Sequence, residues 1–243
     1  MNKETLNWYK EWFDTDFYHI LYRERNLNEA ALFMKNLTTY LNLPDNASVL
    51  DVGCGRGRHS VMLGEMGYTV RGIDLSESNI EHAKQFTSSR LRFDVHDMSE
   101  PYGDHYDAIF NLFTSFGYFD NDHDHIKTLR MMKDALKDNG FGVIDFMNVT
   151  EVSSHLIPAS KIAFGGINFH IERYEEDGHI CKDIRFEHDQ TPYHFTERVK
   201  AYSLQDFEQM FEEAGIFLLD VFGDYKLNKY HPTRSERLVM IFK

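Results

Sequence analysis

Three glycines at alternate positions, Gly53, Gly55 and Gly57, follow the apolar run Val49-Leu50-Asp51-Val52 and precede a helical pattern that begins near Arg58. A Cβ at such places would block a tight bend or hold a ligand away from the backbone. A helix that starts immediately afterwards turns its free N–H groups toward whatever the bend holds. Buried strand, glycine turn and helix start together form the arrangement a nucleotide-like cofactor needs. Acidic residues recur at equivalent places further on. Asp74 closes the run 68–74, and Asp97 follows the run 91–95. A carboxylate at the end of a second strand can accept both hydroxyls of a ribose. Helix capping competes for Asp74, because Ser76 follows closely.

With Asp51 two places before Gly53, the stretch 49–60 resembles motif I of the class I S-adenosylmethionine-dependent methyltransferases. The dinucleotide fingerprint G-x-G-x-x-G also joins a strand to a helix. Here the third glycine comes one place early, and Arg58 holds the position it should fill. The resemblance implies S-adenosylmethionine as cofactor, held at several strand ends. Gly53, Cys54, Gly55 and Arg58 would form the turn around it, above Asp51. Asp74, with Leu75 beside it, would take the ribose. Asp97, with Met98 beside it, matches the family's acidic position at the adenine amino group, and Asp94 and His96 compete for that role through register. The stretch Asn111-Leu112-Phe113-Thr114-Ser115-Phe116-Gly117-Tyr118-Phe119 is similar to the family's motif beside the methionine portion. There the backbone carbonyl near Asn111 would accept from the α-amino group, and the hydroxyls and rings beyond it would face the methyl acceptor. Upstream, Tyr22 and Arg25 match a tyrosine that touches the cofactor and an arginine that pairs with its carboxylate.

These residues need elements that bring them to one edge of a sheet. The runs 49–52, 68–74, 91–95, 106–113, 141–147, 216–222 and 238–242 read as strands. Between them lie helical patterns: 57–66 stopped by Gly67, one opened by Ser78 and Glu81 spaced as a capping box, 122–137 stopped by Gly140, and one from Ser203 to Gly215. Such alternation predicts an α/β fold, a doubly wound Rossmann-like sheet of seven strands with helices on both faces. Ligands in such sheets sit beyond the carboxyl ends of the strands. Residues 1–45 read as an N-terminal helical lid. Trp8, Trp12, Phe13, Phe17 and Leu21 form one helical stripe; a second helix, capped by Asn28 and ended by Pro44, buries Ala30, Leu32, Phe33, Leu37 and Leu41. Between 150 and 202 the period changes to two. Ile167, Phe169 and Ile171, then Ile180, Ile184 and Phe186, then 194–201 suggest an antiparallel insertion over the active site, before the last helix and within a single domain of 1–243.

The formal charge of −13 would repel a phosphate backbone. It argues for a small neutral or cationic acceptor and against direct contact with nucleic acid. The absence of a long apolar run or an apolar leader predicts a cytoplasmic chain, monomeric or homodimeric, with no membrane contact. The run Asp120-Asn121-Asp122-His123-Asp124-His125 fails as a calcium loop, since its sixth position is His125 rather than Gly and its twelfth is Met131 rather than Glu. No metal is expected. Methyl transfer to nitrogen or oxygen of a small molecule is the leading function; a non-catalytic cofactor-binding subunit and an RNA-modifying enzyme are the alternatives. No catalytic residue is assigned, and His170, Glu172, Tyr193 and His194 in the insertion stand unranked as bases.

Overall fold

The computed structural model describes residues 8–23 and 27–243, so Arg25 lies outside the described residues. Strand β1 (Ser48–Val52) is buried from Val49 onward, as a parallel strand covered on both faces must be. Beside it run β2 (Thr69–Asp74), β3 (Leu91–Val95), β4 (Tyr106–Asn111) and β5 (Leu136–Met147), all parallel. Two later strands, β10 (Leu218–Phe222) and β11 (Arg237–Phe242), complete a seven-stranded sheet ordered β10-β11-β5-β4-β1-β2-β3. β11 is antiparallel to both its neighbours. The order reverses between β1 and β4, so a crevice opens beyond their carboxyl ends.

Alternate side chains of the central strands feed two cores. One face packs Val49, Val70, Phe110 and Val239 against α3 (Leu27–Tyr40), α4 (Arg58–Glu65) and α5 (Glu77–Ala83). The other packs Leu50, Ile73, Ile109 and Met240 against α6 (Asp122–Asp134) and α8 (Leu204–Ala214). Helix α8 starts and stops where expected, with a Ser203–Asp206 capping box and left-handed Gly215. No helix among the described residues is long and apolar enough to cross a membrane.

The insertion forms a separate sheet ordered β6-β7-β8-β9: β6 (Ala159–Phe164), β7 (Ile167–Glu176), β8 (His179–His188) and β9 (Thr191–Lys200). β6 is an added edge strand whose residues are all exposed or half-buried, which is why no apolar run announced it. The apolar face of this sheet is covered by α1 (Trp8–Trp12) and α2 (Asp16–Leu21). Trp12 lies 4.5 Å from the Phe195 ring, and Phe17 lies 4.7 Å from that of Phe186.

Several boundaries differ from expectation for local reasons. The N-terminal stripe is split into α1 and α2, because the Thr15 side chain accepts from the Tyr18 N–H and starts a new helix. α3 begins before Asn28, and Met34 replaces the 42% exposed Leu32 in its buried stripe. Ser76, not Ser78, caps α5. α6 ends at Asp134, and Gly140 lies inside β5, where a Cβ would stand 2.8 Å from the Tyr106 carbonyl oxygen. A short α7 (Val149–Ser154) precedes the insertion.

Candidate active site

At the carboxyl ends of β1, β2 and β4 lies a cavity of about 970 Å³, roofed by α1 and α2. The glycine turn forms its floor. Gly53 and Cys54 both donate N–H to the Ile73 carbonyl, at 2.8 and 2.9 Å, tying the turn to β2. Gly55 has φ +55°, and no described atom lies within 4 Å of where its Cβ would stand, so a side chain there would occupy the cavity. Gly57 caps α4 in left-handed conformation, and its missing Cβ leaves room for the Phe93 ring.

Asp74 lines the cavity and braces the turns around it. Its Oδ2 accepts the Gly55 N–H at 2.8 Å and its Oδ1 accepts the Ser76 N–H at 2.9 Å. Burial pushes the carboxyl above its ordinary range, against the pull of the backbone donors at Ser76 and Gly55. Asp14, between α1 and α2, accepts the Ser76 hydroxyl at 2.6 Å, and this bond leads in holding its carboxyl below the ordinary range. The lid is thereby fastened to the start of α5.

Of the three candidates after β3, register takes one away from the cavity. Asp97 and His96 line the cavity, whereas Asp94 pairs with Arg71 Nε at 2.7 Å. Tyr22, Cys54, Arg58, Leu75, Met98 and Phe113 also line it. Burial drives the Cys54 thiol well up, away from thiolate chemistry. Asp51 and Asn111 stand behind the wall. Asp51 accepts the Ser60 hydroxyl at 2.6 Å. Asn111 Nδ2 donates to the Val52 carbonyl at 3.1 Å, and its buried Oδ1 has no hydrogen-bond partner among the described residues.

A model of the methyltransferase domain matches residues 22–220, most of the chain. The chain belongs to the methyltransferase domain family. It is 26% identical over 217 residues to the putative methyltransferase YqeM of Bacillus subtilis (strain 168), covering 81% of this chain and 84% of that protein. It is 24% identical over 235 residues to the glycine/sarcosine N-methyltransferase of Aphanothece halophytica, covering 92% and 84%. An S-adenosylmethionine-dependent methyltransferase from Clostridium acetobutylicum ATCC 824 shares the fold with a TM-score of 0.78 at 20% identity, over 94% of this chain and 96% of that one.

The chain is a methyltransferase, and the residues at its cavity fit S-adenosylmethionine. Gly55 leaves a cradle that a Cβ would fill, and the orphaned Asn111 Oδ1 lies behind the same wall. The Tyr22 hydroxyl donates to Glu197 Oε1 at 2.7 Å and accepts from Lys182, so this cavity residue is also bound to the insertion. Among the sites missed in the sequence are Asp14, whose signal was the break in the helical stripe, and His19, which lines the cavity and bonds Asn79 at 2.7 Å.

The four base candidates are not brought to the cavity of the methyltransferase. Glu172 pairs with Arg185 at 2.7 Å, His194 Nε2 lies 3.4 Å from Asp183, Tyr193 stacks on Phe186, His170 is exposed, and none lines the cavity. Tyr9, Phe13, Tyr118 and Phe119 form an aromatic wall instead; Tyr118 lies 6.1 Å from Tyr9 and 5.4 Å from Phe13 between ring centres. Phe113 and Thr114, which follow β4, have left-handed backbone with φ of 60° and 59°. For residues with a Cβ that conformation costs roughly 1–2 kcal/mol each.

Proposed function

We propose that this methyltransferase moves the methyl group of S-adenosylmethionine to a nitrogen or oxygen of a small-molecule acceptor. The observation that carries the reading is the roofed cavity. Its volume of about 970 Å³ stands near the top of the range for small-ligand sites, roughly 300–1,000 Å³, and so has room for a cofactor and a small second molecule. Asp74 would hold the ribose, and Asp97 would meet the adenine amino group. The open backbone at Gly55 would let the methionine portion lie close, under Tyr22. When bound, the cofactor supplies a positively charged sulfur and with it a good leaving group.

The chain's own work is then orientation and exclusion of water. Tyr9, Phe13, Tyr118 and Phe119 present ring faces, which favour a cation and keep solvent out. The lid carries Tyr9 and Phe13, and Asp14 holds it on α5 through the Ser76 hydroxyl. The acceptor thus reaches the cofactor against a wall rather than across open solvent. The glycine/sarcosine N-methyltransferase of Aphanothece halophytica acts, by its name, on small amines, which favours nitrogen as the acceptor atom.

A labelled-methyl assay across small amines, hydroxy acids, sugars and bulk RNA tests this directly. We expect label in a small amine or hydroxyl compound and none in RNA; transfer to RNA alone would overturn the reading. In the same assay Asp74→Ala, checked for folding, should weaken S-adenosylmethionine binding by roughly 1.5–3 kcal/mol through loss of charge-assisted hydrogen bonds.

A further inference from the structure

Left-handed backbone at two successive residues with side chains persists only where the surroundings over-determine it. For Phe113 and Thr114 those surroundings converge on one carboxylate. Asp145 is completely buried in β5. Its Oδ2 accepts the Phe113 N–H at 2.8 Å, and its main-chain carbonyl accepts the Thr114 N–H at 2.9 Å. Arg237, the first residue of β11, donates from Nε to Asp145 Oδ1 at 2.8 Å and from Nη2 to Thr114 Oγ1 at 3.0 Å. The Tyr225 hydroxyl donates to Asp145 Oδ2 at 3.1 Å, and its ring stacks 4.3 Å from that of Phe33 in α3. The guanidinium groups of Arg58 and Arg237 lie 5.0 and 5.8 Å from the centre of the Phe113 ring.

We propose that Asp145 and Arg237 are positioning residues, a buried ion pair that holds the Phe113–Thr114 turn in the shape that receives S-adenosylmethionine. The proposal rests on the cofactor assignment above. Neither residue lines the cavity; Phe113 does, so the pair acts through the turn. Arginine is required because one planar fork must reach the carboxylate and the threonine hydroxyl together. A lysine would neutralise Asp145 but supply only a single point of attachment.

Removing one partner would strand a buried charge, so the two are exchanged together, as Asp145→Leu with Arg237→Met. The readouts are calorimetric affinity for S-adenosylhomocysteine, which needs no turnover, and the urea midpoint. The exchanged pair should bind about tenfold or more weakly, equivalent to ~1.4 kcal/mol or more. Adding Thr114→Gly, which supplies a residue at ease with positive φ, should restore most of that affinity. A purely structural role would not predict this rescue. Arg237→Lys, which keeps the charge, should show a smaller loss rescued the same way, and it decides the matter if the double exchange does not fold. Wild-type affinity in a folded exchanged pair, or failure of Thr114→Gly to restore binding, would overturn the proposal. An unaltered chain that does not bind S-adenosylhomocysteine would remove the cofactor assignment, and the proposal with it.

Discussion

Burial beneath the glycine turn pushes the Asp51 carboxyl up to about 6, against the Ser60 hydroxyl bond, with Asp74 adding to the rise and Arg58 opposing it. An acid whose folded value lies above its ordinary 3.8 stays protonated in the folded state while the unfolded chain ionises. Its cost is absent below pH 4, grows between about 4 and 6, and is complete above 6, where the two-unit gap corresponds to at most about 3 kcal/mol. Asp51→Asn keeps an acceptor for Ser60 and removes the ionisation. We expect urea unfolding at pH 8 to show the variant stabilised by up to that amount, with the gain gone at pH 4; a gain equal at both values would refute the assignment. The position of Asp74 and Asp97 at the cavity was legible in the sequence because each sits at or just past the end of a short apolar run, which is local information. Asp145 and Arg237 were not. Both are embedded in strand-like runs, and 92 residues separate them. The insertion bases failed for a related reason: residue type named them, but only the sheet decides which way a side chain faces.

At the level of elements, the amino end of α6 contains a second buried titrating group. Phe119 N–H donates to His125 Nε2 at 3.3 Å, so the network assigns the proton to Nδ1, 3.1 Å from the Asn121 carbonyl. Burial lowers this imidazole from 6.5 to about 4, overriding the Asn121 carbonyl bond. Its support is therefore present above pH 6.5 and is lost as pH falls toward 4, by roughly 3 kcal/mol in full. Over that interval Asp51 works in the opposite direction, so the intact protein would show a nearly flat profile from these two groups. With the Asp51 contribution left alone, the urea midpoint of His125→Gln should rise relative to the parent as pH falls from 7 to 4, and a variant that tracks the parent over that interval would exclude this role. Because Phe119 is part of the aromatic wall, protonating His125 would also loosen the cavity. The run around His125 reads as metal ligands or a helix start from composition; Asn121 caps α6 and His125 packs inside. β6 and the break between α1 and α2 were hidden because one offers its core only the half-buried Ile162 and Phe164 and the other turns on a single threonine hydroxyl.

For the whole molecule, the charge of −13 surrounds a cavity whose aromatic wall favours cations. Such a field draws cationic acceptors and repels anionic ones, and salt screens it over roughly 8–10 Å at physiological strength. We expect kcat/KM for an ammonium acceptor to fall several-fold on raising salt from low to physiological levels. For a carboxylate acceptor it should hold or rise; identical salt responses would show that the field does not reach the cavity. Doubly wound architecture was evident from the alternation of runs, since strand and helix periods repeat within each unit. The antiparallel position of β11, threaded between β5 and β10, was not, because pairing is not written in either strand alone. That threading also has a consequence for biosynthesis. Asp145 leaves the ribosome well before Arg237, so a nascent chain can assemble the glycine turn, Asp74 and β5 while the Phe113–Thr114 turn still lacks its cation. Full affinity for the cofactor would therefore arrive only with β11, and a ribosome stalled before residue 237 would hold the five parallel strands with a weakened grip on S-adenosylmethionine.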